Sequence, residues 1–146
     1  LFLEHFELDF FLVAMPYTLL NQEPLKDIFP ECERRGIGVI IGSPYASGIL
    51  ASGSRKESKY GYAAVSEEIR KKVQSIEVIC EDHGIPLKAA ALQFPLAHPQ
   101  VSSVIPGALR AAQVNENLEM LKIHIPLEFW VELKQTGLLH PEAPVA

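Results

Sequence analysis

The sequence predicts an α/β fold in which parallel strands alternate with helices, and three apolar runs of strand length are the main reason. The runs span residues 9–15, 38–42 and 101–105, and each is apolar almost without interruption, as in parallel strands covered on both faces. Helical patterns follow each run, so the predicted order is β-α-β-loop-α-α-β-α-α. Two architectures accept this order: a doubly wound open sheet, or part of a (β/α)8 barrel.

End signals set the bounds of the predicted helices. The segment over residues 23–35 is closed by Gly36, and Ser66 is predicted to cap a helix that ends before Gly84. A long polar loop is expected over residues 43–64. The remaining helices are predicted over residues 87–97, 111–121 and 127–136, the second of them with an apolar side formed by Val114, Leu118 and Leu121.

Composition excludes several classes of partner. A net charge of −5 argues against a nucleic-acid backbone, which needs a concentrated basic face. Residues 1–13 are too charged for a membrane span and lack the basic start of a signal peptide. Cys32 and Cys80 fall in apolar helical stretches without a CxxC motif, so we expect two buried thiols in the cytoplasm.

Candidate binding groups lie where the second and third strands end, because both architectures bind ligands at the carboxyl ends of strands. Gly107 would let the backbone approach a ligand, and the helix start with Arg110 would favour an anion such as a phosphate. The alternative is an ordinary turn with a solvated arginine. Ser43 and Ser47 offer hydroxyls, but no G-x-S-x-G surrounds them and no GxGxxG follows any strand.

The five histidines are expected at the surface or at helix ends, and no catalytic or metal-binding constellation is visible. They are His5, His83, His98, His124 and His140. His83, just before Gly84, suits the negative end of a helix dipole.

Four stretches of the chain are informative together: FLVAMPYTLLNQ over residues 11–22, IGSPYASGIL over 41–50, LQFPLAHP over 92–99, and the segment from Val104 to Asn117. They resemble the aldo-keto reductase superfamily, most closely its D-threo-aldose 1-dehydrogenase (L-fucose dehydrogenase) branch and pyridoxal dehydrogenase relatives. The resemblance runs to about His140. It implies a (β/α)8 TIM barrel of which this chain is the C-terminal portion, strands six to eight with their helices, so that residues 1–140 form a partial barrel and 141–146 a flexible tail.

The resemblance also implies cofactor contacts. Ser43 and Ser47 match positions that contact the pyrophosphate of NADP or NAD. Gly107 and Arg110 match positions that hold the adenosine ribose or its phosphate, and Gln113 and Asn117 match positions that contact the adenine. The implied activity is that of a cytoplasmic oxidoreductase transferring hydride between a nicotinamide dinucleotide and an aldose, aldehyde or ketone.

Several family features are missing. Gly42 stands where many members place an aromatic ring against the nicotinamide, Ala14 where many place a glutamine, and Gly107 where a lysine is common, which leaves the choice between NAD and NADP open. The family's catalytic Tyr, Lys, Asp and His belong to the first half of the barrel, and no residue here is assigned to those roles.

The chain alone is therefore expected to be inactive. Because it begins at Leu1 rather than Met, it is expected to be an expressed fragment, a proteolytic remnant or a truncated record. Open edges on the outer strands predict self-association. The alternative function is a non-enzymatic nucleotide-binding or interaction module derived from the barrel.

Overall fold

A computed structural model describes residues 5–55, 59–60 and 63–145. The strands are β1 (Phe10–Ala14), β2 (Tyr17–Thr18), β3 (Asn21–Gln22), β4 (Gly38–Gly42), β5 (Lys59–Tyr60), β6 (Ala63–Ala64) and β7 (Val101–Ile105). The α-helices are α1 (Ile28–Arg35), α2 (Ile49–Ser52), α3 (Glu67–Asp82), α4 (Leu87–Gln93), α5 (Ala111–Met120) and α6 (Leu127–Gln135), with 3-10 turns at Glu23–Leu25, Ala46–Gly48 and Phe94–Ala97.

The three predicted strands form one parallel sheet in the order β1-β4-β7, which confirms the α/β prediction. Paired residues in neighbouring parallel strands share a face, so the register defines rows across the sheet. One row is Val13–Ile41–Val104, and it lies on the face that packs against the helices. A register shift after Val39 lets Val101 share this face although it stands three residues before Val104.

The opposite face of the sheet is open, and here the expectation of cover on both faces is wrong for the described residues. Rows Leu12–Ile40–Ser103 and Ala14–Gly42–Ile105 lie on this side. Leu12 and Ile105 are about half exposed, as is Phe10 at the start of β1. The strands are apolar on both faces, but within residues 5–55, 59–60 and 63–145 the helices cover only one of them.

The predicted helix ends are confirmed where a capping residue sets them. The Ser66 hydroxyl accepts a hydrogen bond from the Ile69 amide, and Gly36 closes α1 in the left-handed conformation with φ of 70°. The stripe on α3 is buried at Val73, Ile76, Ile79 and Cys80, and both cysteine thiols are free and buried.

Other predictions were too simple. The segment 23–35 divides into a 3-10 turn and α1, and the loop over residues 43–64 contains α2, β5 and β6, although residues 56–58 and 61–62 lie outside the described part. The apolar side of α5 is half exposed at Val114, Leu118 and Leu121 because it borders an open groove rather than the core. The mobility of residues 141–146 stays a prediction, although Ala143 is fully buried, which weighs against it.

None of the described helices combines the length and apolar character that crossing a membrane requires.

An aromatic cluster fills the core beside the turn after β1. The Tyr17 ring lies 4.6 Å from Phe29 and 5.1 Å from Phe94, and His98 stacks on Phe29 at 4.0 Å. His98 caps the C-terminal end of the 3-10 turn Phe94–Ala97, so it lies at a helix end, as predicted, and it is also half buried against the aromatic cluster. The Tyr17 hydroxyl is buried without a hydrogen-bond partner among the described residues.

We expect Tyr17→Phe to raise the free energy of unfolding by up to about 1 kcal/mol, because a buried hydroxyl without a partner carries a desolvation cost that the phenylalanine ring lacks. Urea unfolding of the two proteins measures the difference. A loss of more than about 1 kcal/mol would show that the hydroxyl is bonded after all.

We expect stability to fall as the pH drops below about 6.5, in part through His98. Burial lowers the pKa of His98 below its ordinary value, against an opposing effect of the Glu33 charge, so the unfolded chain takes up the proton first. This contribution is complete above the ordinary pKa and is lost as the pH falls through the folded-state pKa. Urea unfolding between pH 7.5 and 5.5 gives the free energy of unfolding as a function of pH. This free energy should depend less steeply on pH in His98→Gln, whereas the exposed control His124→Gln should keep the wild-type dependence. Equal slopes for wild type and His98→Gln would contradict the assignment.

Candidate cofactor-binding site

The carboxyl ends of the three parallel strands meet at one edge of the sheet and are tied by backbone hydrogen bonds. The Met15 amide donates to the Gly42 carbonyl at 3.1 Å, and the Ser43 amide donates to the Ile105 carbonyl at 3.3 Å. The loop after β4 therefore lies directly beside the end of β7. This is the edge at which barrels and open α/β sheets bind ligands.

Backbone strain is concentrated at this edge. Met15, Ser43, Ala46 and Ser47 are the described residues other than glycine that have a positive φ, with values of 77°, 56°, 48° and 59°. Each such conformation costs on the order of 1–2 kcal/mol and persists only where surrounding contacts enforce it. The Ser47 hydroxyl reaches the Met15 sulfur at 3.7 Å, which holds two of these segments together. Strain of this kind is typical of ligand-binding loops.

The turn between β7 and α5 has the features expected of an anion site. A Cβ added at Gly107 would meet nothing within 4 Å, so there is open space beside this backbone. Arg110 is exposed at the start of α5 and forms no ion pair with another described residue. An arginine beside a helix N-terminus fits the phosphate or pyrophosphate of a dinucleotide.

Gln113 closes the start of its own helix. Its side-chain oxygen accepts from the Leu109 amide at 2.7 Å and from the Arg110 amide at 3.2 Å. Two amides of the helix start are thus satisfied internally. Of the Gln113 side chain, the NH2 group is left to contact a ligand.

Asn117 is one turn further along α5 and is buried. Its side-chain oxygen accepts a hydrogen bond from the Tyr45 hydroxyl at 2.7 Å. Sequence reasoning missed this role of Tyr45, because nothing local to either residue indicates a contact across 72 positions. The structure therefore links the loop that carries Ser43 and Ser47 to Asn117 through Tyr45, and it leaves Gly107 and Arg110 exposed on the turn before α5.

Two departures from the family pattern are neighbours in the structure. Ala14 and Gly42 are register partners at the ends of β1 and β4. A Cβ added at Gly42 would lie 3.6 Å from Ala14, so no large side chain projects from these two strand ends on the open face. The positions at which the family often carries a glutamine and an aromatic ring are thus both small here.

A second pairing of titratable groups lies away from this edge. His83 ends α3, as predicted, and its Nε2 lies 2.7 Å from a carboxylate oxygen of Glu132 on α6, a pairing that the sequence did not indicate. Within the described ranges, no group of three or more His, Cys, Asp or Glu side chains could hold a metal ion.

A parallel sheet with helices on one side and candidate ligand-binding loops after its last two strands is the arrangement found at the phosphate-binding end of a (β/α)8 barrel. The chain belongs to the aldo/keto reductase family, whose model matches residues 2–137.

Individual relatives agree with this assignment. Pyridoxal 4-dehydrogenase of Microbacterium luteolum is 38% identical over 137 residues, which are 94% of this chain and 40% of that protein. D-threo-aldose 1-dehydrogenase of a Pseudomonas species is 37% identical over 134 residues, or 91% of this chain and 41% of that protein. The chain thus spans about two fifths of the length of these relatives.

The solved structure of an aldo-keto reductase from Bacillus halodurans in its apo form has the same fold. It superimposes with a TM-score of 0.68 at 24% sequence identity, covering 99% of this chain and 47% of that one. The prediction of a partial aldo-keto reductase barrel is confirmed.

We expect Gln113→Ala to lower the free energy of unfolding by about 1 kcal/mol, because the substitution removes the side-chain acceptor from the start of α5. Amide exchange at Leu109 and Arg110 should become faster at the same time. Asn115→Ala, at an exposed position of the same helix, is the matched control. It should not lower the free energy of unfolding, because alanine favours the helix, and it should leave amide exchange at Leu109 and Arg110 unchanged. Equal effects of the two substitutions would contradict the capping role.

Proposed function

We propose that this chain forms the dinucleotide-binding portion of an NAD(P)-dependent aldo-keto oxidoreductase. The observation that carries the proposal is the backbone hydrogen bond from the Ser43 amide to the Ile105 carbonyl, which holds the strained loop after β4 beside the end of β7. The turn with Gly107 and Arg110 follows directly from that strand end. Membership of the aldo/keto reductase family supports the same assignment. Hydride transfer to or from a carbonyl carbon is the chemistry that a nicotinamide dinucleotide supplies when it is bound.

The residues at the carboxyl edge of the sheet would each contact a different part of the dinucleotide. Arg110 and the backbone at Gly107 would hold a phosphate of the adenosine half, and Ser43 and Ser47 would contact the pyrophosphate. Gln113 has its side-chain NH2 group available as a donor. The small residues Ala14 and Gly42 would lie nearest the nicotinamide end, on the open face of the sheet.

The substrate class proposed for the whole enzyme is an aldose or another small aldehyde or ketone. Two of the relatives are named for dehydrogenation of pyridoxal and of D-threo-aldoses, which favours a polar carbonyl or hemiacetal substrate. We propose that the chain alone does not turn over, because no described residue forms the proton-donating set that carbonyl reduction needs. Free, buried cysteines support a cytoplasmic location.

We expect the chain to bind NADP+ or NAD+ without oxidising an aldose. Isothermal titration with each dinucleotide measures binding, and absorbance at 340 nm with pyridoxal or a D-threo-aldose measures turnover. Arg110→Ala should raise the dissociation constant about tenfold, as expected for a lost charge-assisted phosphate contact. Lys122→Ala, which removes an exposed positive charge at the other end of α5, is the charge-matched control. Absence of binding at millimolar dinucleotide would refute the proposal.

A second candidate is a non-enzymatic interaction module, which the open edges of the sheet favour. β1 and β7 each pair on one side only within the described residues, and apolar side chains such as Leu12 and Ile105 stay exposed. Such edges pair readily with further strands. With a second copy of the chain as the partner, this candidate predicts oligomers in analytical ultracentrifugation, and a single monomeric species would exclude self-association through these edges.

A further inference from the structure

A buried side-chain contact joins the two segments to which the proposed function assigns the dinucleotide. Tyr45 follows Ser43 in the loop after β4, and its hydroxyl donates to Asn117 on α5 at 2.7 Å. The two residues are only 7% and 5% exposed. Two polar groups that are buried together satisfy each other, and neither can leave without stranding its partner.

A lysine reinforces this contact from a third element. Lys88 of α4 lies with its ammonium nitrogen 5.4 Å from the centre of the Tyr45 ring and 2.8 Å from a carboxylate oxygen of Glu116. Its side chain is 14% exposed, so solvent screens both interactions less than it would at the surface. We call Tyr45, Lys88, Glu116 and Asn117 the loop clasp.

The central hydrogen bond runs from the Tyr45 hydroxyl to the side-chain oxygen of Asn117. Burial, assisted by the charge of Glu116, raises the pKa of Tyr45 to about 12, so the hydroxyl keeps its proton at neutral pH. The side-chain oxygen of Asn117 is thus already occupied by a hydrogen bond within the protein.

We propose that Tyr45 is a positioning residue that sets the spacing between the loop of residues 43–47 and the turn of residues 107–110, acting through Asn117. Asn117 serves as the anchor of this clasp, in place of the adenine contact that the family resemblance implies for its position. The inference rests on the proposed function, because it concerns how the same dinucleotide is held. A dinucleotide must contact the loop and the turn at once, whereas either half needs only one of them.

This difference gives a test that a general loss of stability would not mimic. The 146-residue chain and its Tyr45→Phe variant are titrated with NADP+, NAD+, AMP and nicotinamide mononucleotide. We expect the dissociation constant of the bound dinucleotide to rise about fivefold or more, which is the effect of one lost hydrogen bond. The constants for the two mononucleotides should stay within about twofold, because each half contacts one segment only.

Tyr17→Phe is the matched control, since it also removes a buried tyrosine hydroxyl but one without a partner among the described residues. It should leave all four dissociation constants unchanged. Lys88→Met, which keeps the length of the side chain and removes its charge, should reproduce the pattern of Tyr45→Phe. If circular dichroism shows that Tyr45→Phe does not fold, the Lys88→Met titrations test the positioning role instead.

Two outcomes would overturn the inference while the proposed function stands. One is an unchanged dinucleotide constant in the variant, and the other is an equal rise for AMP, which would make Tyr45 and Asn117 part of the adenine pocket itself. If the wild-type chain binds neither dinucleotide, the proposed function is refuted and this inference falls with it.

Discussion

The parallel pairing of β4 with both β1 and β7 is the constraint on which the rest of the structure depends. It brings three carboxyl ends to one edge, and the bonds from Met15 to Gly42 and from Ser43 to Ile105 continue the pairing just beyond the strands. The loops that follow are thereby held in register with each other. The sheet thereby brings residues from distant parts of the chain to one edge, and side-chain contacts such as Tyr45–Asn117 act on loops that are already neighbours.

Strain and burial are balanced at this edge. Non-glycine residues in the left-handed region would relax if the loop were free, so other contacts must hold the backbone between Ser43 and Ser47. The Tyr45 carbonyl accepts bonds from the Gly48 and Leu50 amides, and its side chain is fastened to Asn117. One residue therefore ties the loop through both its backbone and its side chain. A loop held in this way pays little ordering entropy when a ligand arrives.

Local sequence signals predicted the main strands and helices, but they could not predict contacts between residues that are distant in the sequence. The runs that became β1, β4 and β7, the Ser66 cap and the Gly36 stop are encoded within a few neighbouring residues. The β2–β3 hairpin was missed because two-residue strands have no periodicity to detect. His98 in the aromatic cluster and Tyr45 on Asn117 depend on tertiary packing. The candidate site residues were chosen from the family resemblance and from their positions after strands. The sequence therefore predicted which loops they lie in, but it could not show that the side-chain oxygens of Gln113 and Asn117 already accept hydrogen bonds within the protein.

The open face of the sheet explains why the strand sequences look as they do. A sheet designed to meet water on one side alternates polar and apolar residues, whereas β1 is apolar on both sides. Full burial of a phenylalanine, leucine or isoleucine side chain is worth roughly 1.5–3 kcal/mol, so Phe10, Leu12 and Ile105 each forgo about half of that when they stay half exposed. Such residues are favourable only where a second layer covers them, and in a (β/α)8 barrel that layer is the packed interior formed by the other strands. The composition of the exposed rows therefore agrees with the family match, because it is that of a barrel lining. The edge at the carboxyl ends of these strands is the one at which a (β/α)8 barrel opens to its ligand.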